Sequence, residues 1–160
     1  MNRLSITLNG TPVDASVEER TSIADFVRDG RNLTGTHLAC EHGVCGACTI
    51  LVDGAPVRGC ITFAAALEGR DVKTIEAFAD DPLMEIIRES FSAAHGLQCG
   101  FCTPGMLLTA RDIILRGRAR STEEIRQELS GNICRCTGYA GIVAAVQLAA
   151  EKARSAGALQ

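Results

Sequence analysis

The chain has 160 residues, of which 46% are hydrophobic and 22% charged, a globular composition that excludes disordered, collagen-like and coiled-coil proteins. Its net charge is −3 and it has no basic run, so nucleic acid is not an expected partner. No apolar run approaches the ~20 residues that span a bilayer, and the N-terminal sequence lacks the apolar stretch of a secretory signal. We therefore expect no membrane insertion and a cytoplasmic location.

Residues 1–76 are predicted to form a small β-rich domain. A hairpin turning at Asn9-Gly10 is indicated by alternating apolar positions on both sides, which are Leu4, Ile6, Leu8, Val13, Ala15 and Val17. Thr21 is predicted to cap a short helix that ends at Gly30 and buries Ile23, Phe26 and Val27. Further strands are predicted over 48–52 and 57–60, on either side of an Asp53-Gly54 turn, and over 72–75.

From about residue 80 the apolar spacing changes from two residues to three or four, which indicates helices. The predicted helices cover 82–94, 104–116, 122–130 and 139–154. Thr103 and Thr137 are predicted to cap the second and fourth helices. We therefore predict an α+β chain whose second, four-helix domain occupies residues 77–160.

Eight cysteines fall into two groups of four, and four is the ligand number of one iron-sulfur cluster or one zinc ion. In the absence of a secretory signal, metal binding is favoured over disulfide bonding. The two groups are Cys40, Cys45, Cys48 and Cys60, and then Cys99, Cys102, Cys134 and Cys136.

The first group has the spacing Cys-x4-Cys-x2-Cys, which is typical of plant-type [2Fe-2S] proteins. Gly43 and Gly46 are expected to adopt positive φ and to turn backbone N–H groups toward sulfur. His42 lies in the same loop, and a histidine ligates iron in Rieske centres. Because four cysteines already complete the set, we interpret His42 as a solvated or hydrogen-bonding side chain.

The second group has a different spacing, Cys-x2-Cys and, after 31 residues, Cys-x-Cys. The residues alone are compatible with either a [2Fe-2S] cluster or a structural zinc ion at the second group. The one-residue gap between Cys134 and Cys136 is shorter than zinc sites normally have, which favours iron-sulfur. Helix N-termini at 104 and 139, together with Arg135, would stabilise the net charge of −2 of an oxidised [2Fe-2S] cluster with four thiolate ligands.

Three motifs together resemble the small iron-sulfur subunit of the molybdenum hydroxylases, the superfamily of xanthine dehydrogenase, aldehyde oxidoreductase and carbon monoxide dehydrogenase. They are Cys-Glu-His-Gly-Val-Cys-Gly-Ala-Cys from Cys40, Gln-Cys-Gly-Phe-Cys-Thr-Pro-Gly from Gln98 and Gly-Asn-Ile-Cys-Arg-Cys-Thr-Gly from Gly131. The resemblance spans roughly residues 3–155. It implies a β-grasp ferredoxin-like domain with one [2Fe-2S] cluster, a four-helix domain with another, and no catalytic site on this chain.

The resemblance also implies a path for electrons, from molybdopterin on a large subunit, through both clusters, to FAD on a medium subunit, in a dimer of heterotrimers. The second cluster would lie beside the molybdopterin, with Gln98 and Cys136 contacting the pterin. The loop from Glu41 to Ala47 would face the flavin. The alternatives are a free-standing two-cluster ferredoxin and a zinc-stabilised interaction module, and the substrate is open because its pocket would lie on the large subunit.

Overall fold

The alternating N-terminal sequence forms the predicted hairpin. Strand β1 (Asn2–Leu8) pairs antiparallel with β2 (Thr11–Val17), and the turn residues Asn9 and Gly10 have φ values of 51° and 81°. Such positive φ values are what a tight two-residue turn requires, and Asn-Gly adopts them at low cost. The structure, a computed structural model, describes residues 1–119 and 121–158.

Three further strands complete a mixed sheet. They are β3 (Thr49–Val52), β4 (Ala55–Arg58) and β5 (Asp71–Lys73), and the strand order is β2-β1-β5-β3-β4. β5 pairs parallel with β1, whereas β3 pairs antiparallel with both β4 and β5. The predicted last strand is shorter than expected, because a 3-10 turn begins at Ile75.

Helix α1 (Ile23–Asp29) packs its predicted apolar stripe against this sheet. It ends at Gly30, as predicted, but its N-cap is Ser22 and the Thr21 prediction was wrong. The Ser22 hydroxyl accepts a hydrogen bond from the Asp25 backbone N–H at 3.0 Å. Both residue types can cap, so the pattern identified the helix start but not which of two neighbours supplies the oxygen.

The remaining helices are α2 (Pro82–Ala93), α3 (Thr103–Leu115), α4 (Thr122–Glu128) and α5 (Ala140–Ser155), close to the predicted ranges. Their apolar faces meet in a second core, which includes Met106, Ala110 and Ile113 of α3. Within residues 1–119 and 121–158, no helix has both the length and the apolar character to cross a membrane.

Strand β3 connects the two cores. Ile50 points into the core beneath α1, and the next residue, Leu51, belongs to the helical core. Successive strand side chains point to opposite faces, so β3 is buried on both sides. The cysteine loop that leads into β3 is therefore positioned between the two halves of the chain.

Candidate metal centres

The first cysteine group is assembled by the β3-β4 hairpin. Cys48 directly precedes β3 and Cys60 lies in the 3-10 turn Gly59–Ile61 that follows β4. The antiparallel pairing of the two strands brings these ends together, and Gly59 N–H donates to the Cys48 carbonyl at 3.1 Å. As a result the Cys48 and Cys60 thiols are neighbours, and burial, followed by the nearby Cys48 thiol, raises the pKa of Cys60 to about 11.

The other two thiols of this group are brought together by a tight loop. Cys45 N–H donates to Cys40 Sγ at 3.3 Å, which places the two cysteines side by side. Gly43 and Gly46 have φ values of 83° and 74°, as predicted. Hydrogen bonds from the backbone of His42 and Cys45 lower the pKa of Cys40 to about 6, which favours the thiolate that ligates metals.

The second group is assembled by two helix hairpins. Cys99 and Cys102 lie between α2 and α3, whereas Cys134 and Cys136 lie between α4 and α5. The Sγ atoms of Cys99 and Cys136 are 3.5 Å apart, and the Cys134 thiol lies close enough to Cys102 to influence its pKa. A backbone hydrogen bond from Phe101 lowers the pKa of Cys99, whereas burial raises the pKa of Cys102 to about 12.

In both groups the thiols therefore meet in pairs. Within residues 1–119 and 121–158, no three Cys, His, Asp or Glu side chains converge as they would around one metal ion. Zinc requires four ligands around a single point, whereas the two irons of a [2Fe-2S] cluster each take two. Two thiol pairs for each group, with backbone N–H groups turned toward sulfur, fit a [2Fe-2S] cluster in each loop region.

The predicted caps of the second region were wrong in detail. Thr103 is the first residue inside α3, and Cys102 occupies the N-cap without a side-chain hydrogen bond. Thr137 lies before the Tyr139 N-cap of α5, and its hydroxyl donates to Cys134 Sγ at 3.2 Å. Burial tends to raise the pKa of Cys134, but hydrogen bonds from Thr137 and Cys136 outweigh it and lower that pKa. Thr137 therefore supports a thiolate.

The Tyr139 side chain links two parts of the second cysteine loop. Its hydroxyl accepts from Cys134 N–H at 2.8 Å and donates to the Asn132 carbonyl at 3.2 Å. Its backbone has a φ of 69°, a conformation that a non-glycine residue adopts only when its surroundings impose it. The side chain thus closes the loop that carries Cys134.

Two of the three histidines, His42 inside the first motif and His37 before it, are hydrogen-bonded. His42 Nδ1 donates to the carbonyl of Cys40, which agrees with a hydrogen-bonding rather than a ligating role. His37 Nδ1 donates to the Phe101 carbonyl at 2.7 Å, and the two rings lie 4.8 Å apart. His37 therefore contacts the second cysteine loop from the first half of the chain, which its isolated position in the sequence did not indicate.

A set of polar residues that sequence reasoning missed joins the two cysteine regions. These residues are Thr49, Arg58, Thr109 and Asn132. The Gly46 carbonyl accepts from Thr49 and Asn132, the Gly131 carbonyl accepts from Arg58, and the Thr109 hydroxyl bonds Asn132 Oδ1. Beside them, Ile133 N–H donates to the Cys45 carbonyl at 2.8 Å. The only signal for this set in the sequence is that Asn132 follows a glycine just before the Cys134 motif. The residue that Asn132 bonds, Gly46, is 86 residues away.

Both sites border exposed apolar surface. Val44, Ile61 and Phe63 are exposed around the first thiol group, and Leu97, Phe101 and Ile133 around the second. Gln98, Cys99 and Cys136 are exposed as well, so the second group opens toward the surface. Apolar patches of this kind mark surfaces that contact other proteins.

Known proteins share both regions. Residues 6–79 match the family model of the 2Fe-2S iron-sulfur cluster binding domain, and residues 74–147 match that of the [2Fe-2S] binding domain. The chain is 49% identical over 147 residues to caffeine dehydrogenase subunit gamma of Pseudomonas sp. (strain CBB1), with 90% of this chain and 88% of that protein covered. It is 47% identical to the nicotine 6-hydroxylase small subunit of Paenarthrobacter nicotinovorans, over 89% of this chain and 86% of that protein.

A solved structure is similar throughout. The crystal structure of quinoline 2-oxidoreductase from Pseudomonas putida 86 contains a chain that is 48% identical, with a TM-score of 0.88 and 96% of both chains covered. The caffeine and nicotine relatives are subunits of a dehydrogenase and of a hydroxylase, and this chain matches two 2Fe-2S family models, one over each cysteine region. The protein therefore belongs to the small iron-sulfur subunits of the molybdenum hydroxylases.

Proposed function

We propose that this subunit relays electrons from molybdopterin on a large subunit, through two [2Fe-2S] clusters, to FAD on a medium subunit. Bound clusters of this type each accept and release one electron. The ligands in this proposal are the eight cysteines, four to each cluster. The observation that carries the proposal is the direct contact between the two loops, in which Ile133, beside Cys134, donates its N–H to the Cys45 carbonyl.

The surface around each thiol group supports the assignment of partners. Cys99 and Cys136 are exposed next to Gln98, so these residues are accessible to a cofactor held by another chain. We assign Gln98 and Cys136 as the contacts with the pterin. The apolar residues Val44 and Ile61 border the first group and would contact the flavin subunit.

The proposed domains are residues 1–76, ferredoxin-like, and residues 77–160, helical, with Arg120, Leu159 and Gln160 outside the described residues. Two separate apolar cores, one beneath α1 and one among α2 to α5, support this division. We further propose a dimer of heterotrimers in the cytoplasm, where eight cysteines would stay reduced.

The names of the relatives support one class of substrate. The caffeine, nicotine and quinoline enzymes compared above are all named for nitrogen heterocycles. We therefore propose that the complex containing this chain oxidises a nitrogen-heterocyclic compound. Anaerobic addition of such a heterocycle should bleach the visible absorbance of the complex, and bleaching by aldehydes alone would contradict this assignment.

Metal analysis of the purified complex tests the proposed clusters. Iron and acid-labile sulfide should each approach four per copy of this chain, because each [2Fe-2S] cluster contains two of each. The two reduced clusters should give different EPR signals, since one is enclosed by a glycine-rich loop and the other lies among helix N-termini. Zinc at either site, or only two irons, would refute the proposal.

A Gln98→Ala variant tests the contact with the pterin. The iron content should be unchanged, because Gln98 is not a proposed ligand, whereas substrate-driven reduction should slow. Gln147→Ala is the matched control, since Gln147 is an exposed glutamine on α5, away from both cysteine motifs. Equal rates of reduction in the two variants would contradict the proposed role of Gln98.

A further inference from the structure

Asn132 is a buried polar residue between the two cysteine loops, with only 3% of its surface exposed. Its Nδ2 donates to the Gly46 carbonyl at 3.3 Å, and its Oδ1 lies 3.1 Å from the Thr109 hydroxyl. A carbonyl oxygen can only accept, so the amide must present Nδ2 to Gly46. One side chain therefore connects the first cysteine loop to helix α3 and to the segment that leads into Cys134.

Further hydrogen bonds converge on the same place. The Thr49 hydroxyl donates to the Gly46 carbonyl at 2.7 Å. Arg58 donates to the Thr49 hydroxyl at 2.8 Å and, through its other terminal nitrogen, to the Gly131 carbonyl. Arg58 thus reaches the Gly131 segment from strand β4, and Asn132 bonds directly from that segment to the Gly46 carbonyl of the first cysteine loop.

The backbone segments around Asn132 pack closely against each other. A Cβ on Gly46 would lie 2.6 Å from the Gly131 carbonyl oxygen and 2.8 Å from Asn132 Nδ2. A Cβ on Gly105 would lie 2.3 Å from the Gly46 carbonyl oxygen. Contacts this close leave no room for a side chain at Gly46 or Gly105, so the backbones pack directly against each other, and the buried Asn132 amide satisfies polar groups of that contact.

We propose that Asn132 is a positioning residue that fixes the separation and orientation of the two thiol groups and thereby sets the rate of electron exchange between them. The inference rests on the proposed electron-relay function. In the step concerned, one electron leaves the metal held by the Cys134 group and reduces the metal held by the Cys45 group, and no bond is made or broken. Asn132 contacts no thiol, so its role is separate from ligation.

The test uses the complete complex with Asn132→Ala and, as a control, Ser90→Ala. Ser90 is also a buried hydrogen-bonding side chain, but it bonds Ile86 within α2 and touches neither loop. Three quantities are measured: iron content, the EPR splitting that the two reduced clusters induce in each other, and hydrogen exchange of residues 45–49 and 131–134. Iron content reports on the proposed function, and the other two measurements report on positioning.

Asn132→Ala should keep about four irons per chain and both EPR signals. Its EPR splitting should fall to at most half of the wild-type value, and electron exchange between the clusters should be slower. Hydrogen exchange should be faster in both segments. Ser90→Ala should match the wild type. An unchanged splitting in Asn132→Ala at full iron content would overturn the positioning role while leaving the relay intact. A wild-type complex without four irons would overturn the relay, and the inference with it.

If Asn132→Ala does not retain its iron, Thr109→Val replaces it. This variant removes the Thr109 hydroxyl, which bonds Asn132 Oδ1 and, within α3, the Gly105 carbonyl, so the amide loses one of its two anchors while its own bond to Gly46 can still form. An intermediate loss of splitting is expected. A splitting equal to that of the wild type in Thr109→Val would overturn the proposal.

Discussion

Replacing Asp81 should separate what a helix cap and what an ion pair contribute to the stability of the helical half. The carboxylate caps α2 by accepting from Met84 N–H at 2.7 Å, and it accepts from Arg111 of α3 at 2.8 Å. The Asp81 and Arg111 side chains are only 22% and 19% exposed. A lost cap costs about 1 kcal/mol and a lost hydrogen bond to a charged group about 1.5–3 kcal/mol.

Asp81→Ala removes both interactions and should destabilise the protein by about 3 kcal/mol, which corresponds to a fall in Tm of roughly 6–12 °C for a chain of this size. Asp81→Asn keeps a capping oxygen and should lose about half as much. Thermal unfolding followed by circular dichroism, at matched iron content, measures both. The neighbouring exposed Asp80 is the control site, where Asp80→Asn should have little effect.

The pH dependence provides a second check on Asp81. Burial tends to raise the pKa of this carboxyl, but hydrogen bonds from Arg111 and Met84 outweigh it and hold the pKa below its ordinary value of 3.8. The stabilisation is therefore complete above pH 3.8 and is lost as the pH falls through the folded-state pKa. The difference in Tm between wild type and Asp81→Asn should be constant near neutral pH and shrink in acid. Equal Tm values for Asp81→Asn and wild type at pH 7 would refute the ion-pair reasoning.

Three further substitutions test the cysteine regions. Gly105→Ala places a methyl group against the Gly46 carbonyl and should destabilise the chain by about 1–3 kcal/mol despite the higher helix propensity of alanine; a rise in Tm would show that the close approach is absent. Tyr139→Phe leaves Cys134 N–H without its partner, so the second EPR signal should change while the first stays as in the wild type. Cys60→Ser should reduce the iron content to about two per chain and remove only the first signal, whereas loss of both signals would contradict separate sites.

The sequence predicted the parts of the site that depend on local spacing. The interval between Cys40 and Cys48 is short, and its glycines adopt the positive φ values that such a turn needs. The change of apolar period near residue 80 likewise predicted where helices begin to replace strands. In both cases the information lies within a few residues along the chain.

The parts that were missed depend on contacts between distant segments. Asn132 and Gly46 are 86 residues apart, and no periodicity relates them. The pairing of thiols between two helix hairpins depends on how α2 and α5 dock, which apolar stripes alone do not specify. Thr137 was predicted as a cap because its residue type suits one, but its hydroxyl instead donates to a cysteine sulfur.

The thiol pairs differ in how much chain separates their members, and this difference predicts an order of assembly. Cys40 and Cys45 are 5 residues apart, whereas Cys99 and Cys136 are 37 residues apart. Closing the longer loop in an unfolded chain costs about 1.8 kcal/mol more conformational entropy. The two thiols of the first pair can therefore come together within a short segment, whereas those of the second pair do so only after two helix hairpins have docked. We expect the N-terminal site to become competent for metal before the helical one as the chain folds.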